Sequence, residues 1–283
     1  MGQMLSLSPS FAMYPDALVA AGVEPQSFLP VPGIGEILGR HKVETHSVKH
    51  YSLVNSSLSR MFSRGLTGDH GMVTAADQMW QIRTLLEENR DRRLYVSAYW
   101  AAVDSLSHRY GYDHPAVAAE LRSYLNVVRT ELFESLRSDV MRDTVIIVTA
   151  DHGQIKTPLE KRIFIEDFPD VHQLLLMRAA GEPHTAYLYA RQGKTQALIE
   201  AINRDLGHAA LAFEAQQALN GGLFGPAPAD GDVERRLGDV IVTMRDGYSL
   251  LSRDGDGYLA RFVGRHGGLT PDEMKVPFLA FRL

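Results

Sequence analysis

Apolar positions recur along this chain with two periods, one suited to helices and one to strands. Residues 74–88 carry Met79, Ile82, Leu85 and Leu86 at helical spacing, and residues 115–136 carry Leu121, Leu125, Val128 and Leu132 in the same way. Both stretches predict amphipathic helices laid against a core. Residues 194–206 predict a third, with Ala197, Ile199, Ala201 and Ile202 inward, and residues 16–21 and 33–40 predict shorter ones. Between them stand short apolar runs. Residues 95–103 are apolar, aromatic and β-branched, and residues 144–149 (TVIIVT) read as a strand buried on both faces. Residues 185–190 and 239–244 predict further strands, with 248–251 as a third of that group. Alternating apolar strands and amphipathic helices predict an α/β fold, a three-layer α/β/α sandwich around a mostly parallel central sheet. In that sheet 94–100 and 144–150 are expected as neighbours, with 276–282 as another strand.

Composition narrows the class. At 283 residues and 45% hydrophobic content, the whole chain (1–283) suits one domain with a sizeable core. Acidic residues outnumber basic ones by 34 to 29, a net charge of −5, which gives nucleic acid no electrostatic reason to bind as a bulk partner. The chain has no cysteine, so disulfides and thiolate zinc sites are excluded and any metal must rest on oxygen and imidazole donors. No apolar stretch reaches membrane-spanning length. The N-terminus lacks the basic-then-apolar pattern of a signal peptide. A cytoplasmic location is the expectation.

The residues that carry chemistry lie beside the apolar runs. Asp104 and His108 come just after one, Asp151 and His152 just after another, and His266 precedes the apolar segment near the C-terminus. Ligands of open parallel sheets gather at the carboxyl ends of strands. A spacing of four places Asp104 and His108 on one helix face. Carboxylate with imidazole suits zinc, and also manganese or iron. Each element alone is weak. Asp–His–Gly occurs twice, and its first copy, Asp69–His70–Gly71, comes after a polar stretch with glycine and reads as a turn. Three elements in this order make a ligand inventory for two divalent metals.

In these residues the chain resembles the alkaline phosphatase superfamily, most nearly its type I phosphodiesterase/nucleotide pyrophosphatase branch. That branch has VDxxGH, TADHG and late HGG elements; here they stand as VDSLSH (103–108), TADHG (149–153) and HGGLTPDEMKVPF (266–278). Ser107 replaces the usual glycine before His108, which removes no ligand. The resemblance implies that Asp104, His108 and His266 hold one divalent ion and that Asp151 and His152 hold a second. Zinc is the leading metal for both, with manganese the other. It also implies an early aspartate on the second ion and a Thr or Ser nucleophile at a helix N-terminus. Neither is found, so no catalytic nucleophile is assigned. The opening residues resemble the family segment that lies after the nucleophile helix, so the chain is expected to lack the first part of the family domain. Residues 55–71 imitate a nucleophile helix, with Ser56 or Ser57 near its start, but a serine there is more often an N-cap.

Residues 155–263, between the second and third ligand elements, are expected as an inserted cap-like α+β subdomain. Their Gly–Pro patch, 220–232, reads as an exposed loop. His184 and Arg109 are candidates for a substrate-phosphate contact, although such residues are more often structural or solvated. The implied function is metal-dependent hydrolysis of a small phosphodiester. The alternatives are a metal-binding remnant without a nucleophile, and a phosphomonoesterase or phosphonate hydrolase of the same superfamily. A sulfatase is disfavoured by the lack of cysteine.

Overall fold

A computed structural model describes residues 19, 22–29, 31–226, 231–253, 257 and 259–282. The helix expected at 16–21 lies mostly outside these residues. Three parallel strands form the first sheet: β1 (Glu44–His50), β2 (Gly68–Met72) and β3 (Leu94–Ala98), ordered β2-β1-β3. Between β1 and β2 runs α1 (Ser57–Phe62), and between β2 and β3 runs α2 (Ala75–Glu88), whose N-cap Thr74 accepts a hydrogen bond from the Asp77 amide. After β3 come α3 (Ala102–Tyr110) and α4 (Pro115–Val127), and α4 passes into a wider π-type turn over Val128–Phe133. Val48, Met72, Met79, Ile82 and Leu132 form the buried centre of this half.

The helical stripe predicted over 115–136 holds at Val128 and Leu132 but not in the preceding turns. Leu121 and Leu125 face solvent, whereas Val117 and Leu132 are buried and Tyr124, Val127 and Val128 pack on the core. Tyr124 fixes the phase, because its hydroxyl donates to Gln78 Oε1 at 2.9 Å and its ring stacks on Trp100. In the later helix Ile199, Ala201 and Ile202 are inward as expected, whereas Ala197 is exposed and Leu198 takes the buried position.

β4 (Val145–Thr149) pairs antiparallel with β13 (Phe278–Arg282), and not with β3. The expectation that 94–100 and 144–150 are sheet neighbours is therefore corrected: by hydrogen bonding they belong to separate sheets. They still share a core, since Val96 and Ile146 pack on the same cluster. β4 is also not buried on both faces. Ile146 turns to the helices, whereas Val145 and Ile147 are 62% and 57% exposed. Alternate residues of a strand face opposite ways, and no described element covers the outer face. The Asp69–His70–Gly71 segment is likewise part of β2 and not a turn. Its polar residues are held by pairing: Lys49 Nζ lies 2.9 Å from Asp69 Oδ1, and His46 Nδ1 lies 2.9 Å from His70 Nε2.

The stretch after β4 begins with two short strands, β5 (Ile155–Lys156) and β6 (Arg162–Phe164). It then builds β7 (Ala180–Glu182), β8 (Thr185–Leu188), α5 (Thr195–Asp205), β9 (Ala210–Glu214) and β10 (Val240–Met244). These four strands make an antiparallel sheet ordered β7-β8-β10-β9. Its buried face has its own core, with Leu188, Leu198, Ile202, Val240 and Val242 among the members. β11 (Ser249–Leu251) pairs with β6. The chain returns to the ligand region through β12 (Gly264–Arg265), which pairs with β5, and α6 (Pro271–Met274).

Candidate metal centre

Asp104 lies in the first turn of α3 and His108 one turn later, so both point from one face, with His108 Nε2 3.3 Å from Asp104 Oδ1. His108 Nδ1 donates to the Gly264 carbonyl at 2.8 Å. That bond fixes the tautomer and leaves the Nε2 lone pair facing the carboxylate, the usual arrangement of a metal-binding imidazole. Asp151 and His152 come directly after β4. His152 Nδ1 donates to the Gly153 carbonyl at 3.0 Å, which again leaves Nε2 free as a donor. His266 comes directly after β12, and its ring lies 3.6 Å from that of His152 and 5.1 Å from that of His108, centroid to centroid.

All five predicted ligands thus meet in one region. The most compact group is Asp104, His152 and His266, with one donor atom from each lying within 4.8 Å of the others. This triad cuts across the grouping implied by resemblance, which joined His108 to Asp104 and His266. His108 stands beside the triad, in contact with Asp104. Asp151 is the most open of the five: its side chain is 62% exposed, with Oδ2 3.7 Å from His152 Nε2.

Electrostatics keep His266 unprotonated and so available as a metal donor. The His266 pKa is pushed down to about 4, first by burial and then by the neighbouring His152 and His108. Near neutral pH it is an uncharged imidazole with a lone pair to give. Burial, and then the charges of Asp151 and Asp104, hold the Tyr99 hydroxyl above its usual range. Two carboxylates and three imidazoles, two of them with the proton fixed on Nδ1, form a donor set that fits divalent zinc or manganese.

Three residues of this region escaped sequence reading. Gln154 donates from Nε2 to Asp104 Oδ1 at 2.6 Å and so orients that carboxylate. Glu182 of β7 packs its side chain against Gly267, where φ is +96° and a Cβ would collide with it. Its carboxyl is raised by burial, against the opposing pull of His108, Arg265 and other basic side chains nearby. Glu273, inside the late motif, is buried and bonded to the ligand loops. The DEM string around it carried no signal, because what buries it and makes it a link, His184 and the Gly153 amide, comes from distant positions.

His184 is also buried, 1% exposed, and bonded to Glu273, so it is structural and does not face a substrate. Arg109 lies exposed, over the ring of Tyr110. Ser56 is the N-cap of α1, accepting from the Ser59 amide at 3.2 Å, and Ser57 is buried beside it.

A parallel three-stranded sheet flanked by helices, with carboxylates and imidazoles gathered after β3, β4 and β12, defines an α/β protein with a candidate metal centre. Residues 75–269 match the family model of type I phosphodiesterase/nucleotide pyrophosphatase, and the chain belongs to that family. Solved structures share the fold. Human ectonucleotide pyrophosphatase/phosphodiesterase 5 aligns with a TM-score of 0.63 at 15% identity, over 86% of this chain and 62% of that one. An inactive threonine-to-alanine form of the murine protein, in complex with AMP, gives 0.64 at 15%, over 93% and 67%. Phosphonoacetate hydrolase from Sinorhizobium meliloti 1021, in complex with phosphonoformate, gives 0.62 at 16%, over 91% and 69%. The chain thus spans 62–69% of these relatives' length. No curated protein matches it significantly in sequence. Among the described residues, no helix is long and apolar enough to cross a membrane.

Proposed function

We propose that this chain carries the metal centre of a hydrolase acting on small phosphodiesters, with Asp104, His108 and His266 on one ion and Asp151 and His152 on a second. The observation that carries the reading is the convergence of these five side chains from α3, the loop after β4 and the loop after β12. Zinc suits the imidazole-rich set best, and manganese would also be accepted. When bound, such ions supply Lewis acidity toward a phosphoryl oxygen and lower the pKa of a coordinated hydroxyl. The chain's own part is to bind and orient. Gln154 holds Asp104, and the backbone carbonyls of Gly264 and Gly153 hold His108 and His152 in the tautomer that exposes Nε2. The compact triad Asp104, His152 and His266 brings donors from both proposed sets into one small volume.

The attacking Thr or Ser is proposed to come from outside this sequence, since Ser56 is committed as a helix cap. Residues 155–263 are proposed as a cap that shapes substrate choice, with Glu182 on the side facing the ligands. The complex of a murine relative with AMP supports a small phosphate ester as the substrate class. Titration of zinc into the purified 283-residue protein, and then of AMP, tests the assignment. Tight zinc binding, with AMP binding only to the loaded protein, is expected. Zinc binding no tighter than millimolar would sink it. Brisk zinc-dependent hydrolysis of bis(p-nitrophenyl) phosphate would place the nucleophile within the chain. Preference for p-nitrophenyl phosphate would favour a monoesterase.

A further inference from the structure

The late ligand loop and the loop after β4 are joined at one buried residue, Glu273. Glu273 is 3% exposed. Its Oε1 accepts from the Gly268 amide at 2.9 Å and from His184 Nδ1 at 2.6 Å, and its Oε2 accepts from the Thr270 hydroxyl at 2.6 Å. Its backbone carbonyl accepts from the Gly153 amide at 2.8 Å. The side chain therefore ties the loop that carries His266, and the main chain ties the loop that carries Asp151 and His152. His184 extends the network. With Nδ1–H given to Glu273, its Nε2 accepts from the Thr157 hydroxyl at 3.1 Å. His184 immediately precedes β8, so the chain of bonds runs from the antiparallel sheet into the ligand region.

We propose that Glu273 and His184 are positioning residues that set the spacing of His266 and His152, and that link the 155–263 unit to the metal centre. Neither touches the reacting atoms. A buried carboxylate with every bond satisfied is rigid, and loss of one partner leaves unpaired polar groups that move to find others. Movement here passes directly to two ligand loops. The inference rests on the metal assignment made above, and it adds residues that lie outside the ligand set.

The test is zinc affinity of the full 283-residue chain, measured by competition with a chromophoric chelator. Groups that orient metal ligands at one remove change affinity by roughly 10–100-fold. Glu273→Gln and His184→Leu should each weaken zinc binding within that range while keeping the native circular dichroism. His184→Asn, whose amide can donate in place of Nδ1, should recover most of the loss. Glu166→Gln serves as a control. Glu166 accepts from Ser252 and the Arg253 amide, away from the ligand loops, so its loss should lower stability without moving zinc affinity. If Glu273→Gln fails to fold, the comparison of His184→Leu with His184→Asn decides alone. Wild-type affinity in His184→Leu would overturn the positioning role, as would equal losses in the control. A wild-type protein that does not bind zinc would overturn the metal assignment instead.

Discussion

The imidazole rings of His152 and His266 stack 3.6 Å apart, with their planes 17° from parallel. Two protonated rings would repel at that distance, so the pair is stable with at least one ring neutral. The same closeness puts a donor of each ring within reach of Asp104.

Gln154 tests how far this geometry depends on its support. Its amide donates to Asp104 Oδ1 at 2.6 Å, and it stands next to the loop that carries Asp151 and His152. Gln154→Leu keeps most of the volume and removes the donor. Zinc affinity should fall by about 10–100-fold with the fold retained. Unchanged affinity in chelator competition would show that Asp104 needs no orienting partner.

Acid should destabilise the metal-free protein through His266. Its pKa in the folded state is about 4, against 6.5 in an unfolded chain, so the unfolded state takes up the proton first as pH falls. Above about 6.5 both states are neutral and His266 costs nothing; stability is lost between 6.5 and 4, and the loss is level below 4. Allowing for its partial exposure, the loss is about 2 kcal/mol. Urea denaturation across the range from neutral pH down to the folded-state pKa should show this slope, and His266→Gln should flatten it. A slope untouched by the substitution would assign the acid sensitivity elsewhere.

Gly153 is required by close packing. A Cβ there would run into the Asp272 carbonyl oxygen, which is backbone and cannot swing away. Gly153→Ala should therefore push the ligand loop from α6 and break the amide bond to the Glu273 carbonyl. A loss of about 1–3 kcal/mol in stability is expected, from strain and a lost buried bond, together with weaker zinc binding. Thermal unfolding and the same chelator assay report the two effects separately.

Much of the cluster was legible because its acidic and imidazole residues are marked by local pattern. Asp104 and His108 sit four apart on a helix, and Asp151 and His152 come directly after an apolar strand, so spacing and position relative to β3 and β4 sufficed. Their supports were not legible. Gln154, Glu182, His184 and Glu273 act through contacts between segments far apart in sequence, and no local period encodes those. The fold shows the same division. α2 was readable from Met79 and Ile82, but β1 (ETHSVKH) is polar in composition and buries His46 and Lys49 only because β2 supplies their partners. β4 misled in the opposite sense. An apolar run reads as doubly buried, yet covering its outer face needs another element, which its own residues cannot announce.

Ser56 separates a structural hydroxyl from a catalytic one. Its Oγ accepts from the Ser59 amide, and its backbone, at φ −60° and ψ 155°, has the extended conformation of an N-cap. The residue is buried, and its hydroxyl is committed to satisfying an orphan amide of α1. Ser56→Ala should cost about 1 kcal/mol of stability and leave zinc affinity unchanged. Ser56→Asp, which can still cap, should restore most of the lost stability. A nucleophile would behave otherwise, since Asp would place a charge beside the substrate phosphate and abolish any turnover. Denaturation of the three proteins, with hydrolysis of bis(p-nitrophenyl) phosphate measured in parallel, distinguishes the roles. Turnover present in the wild type and absent in both variants would assign Ser56 to the chemistry.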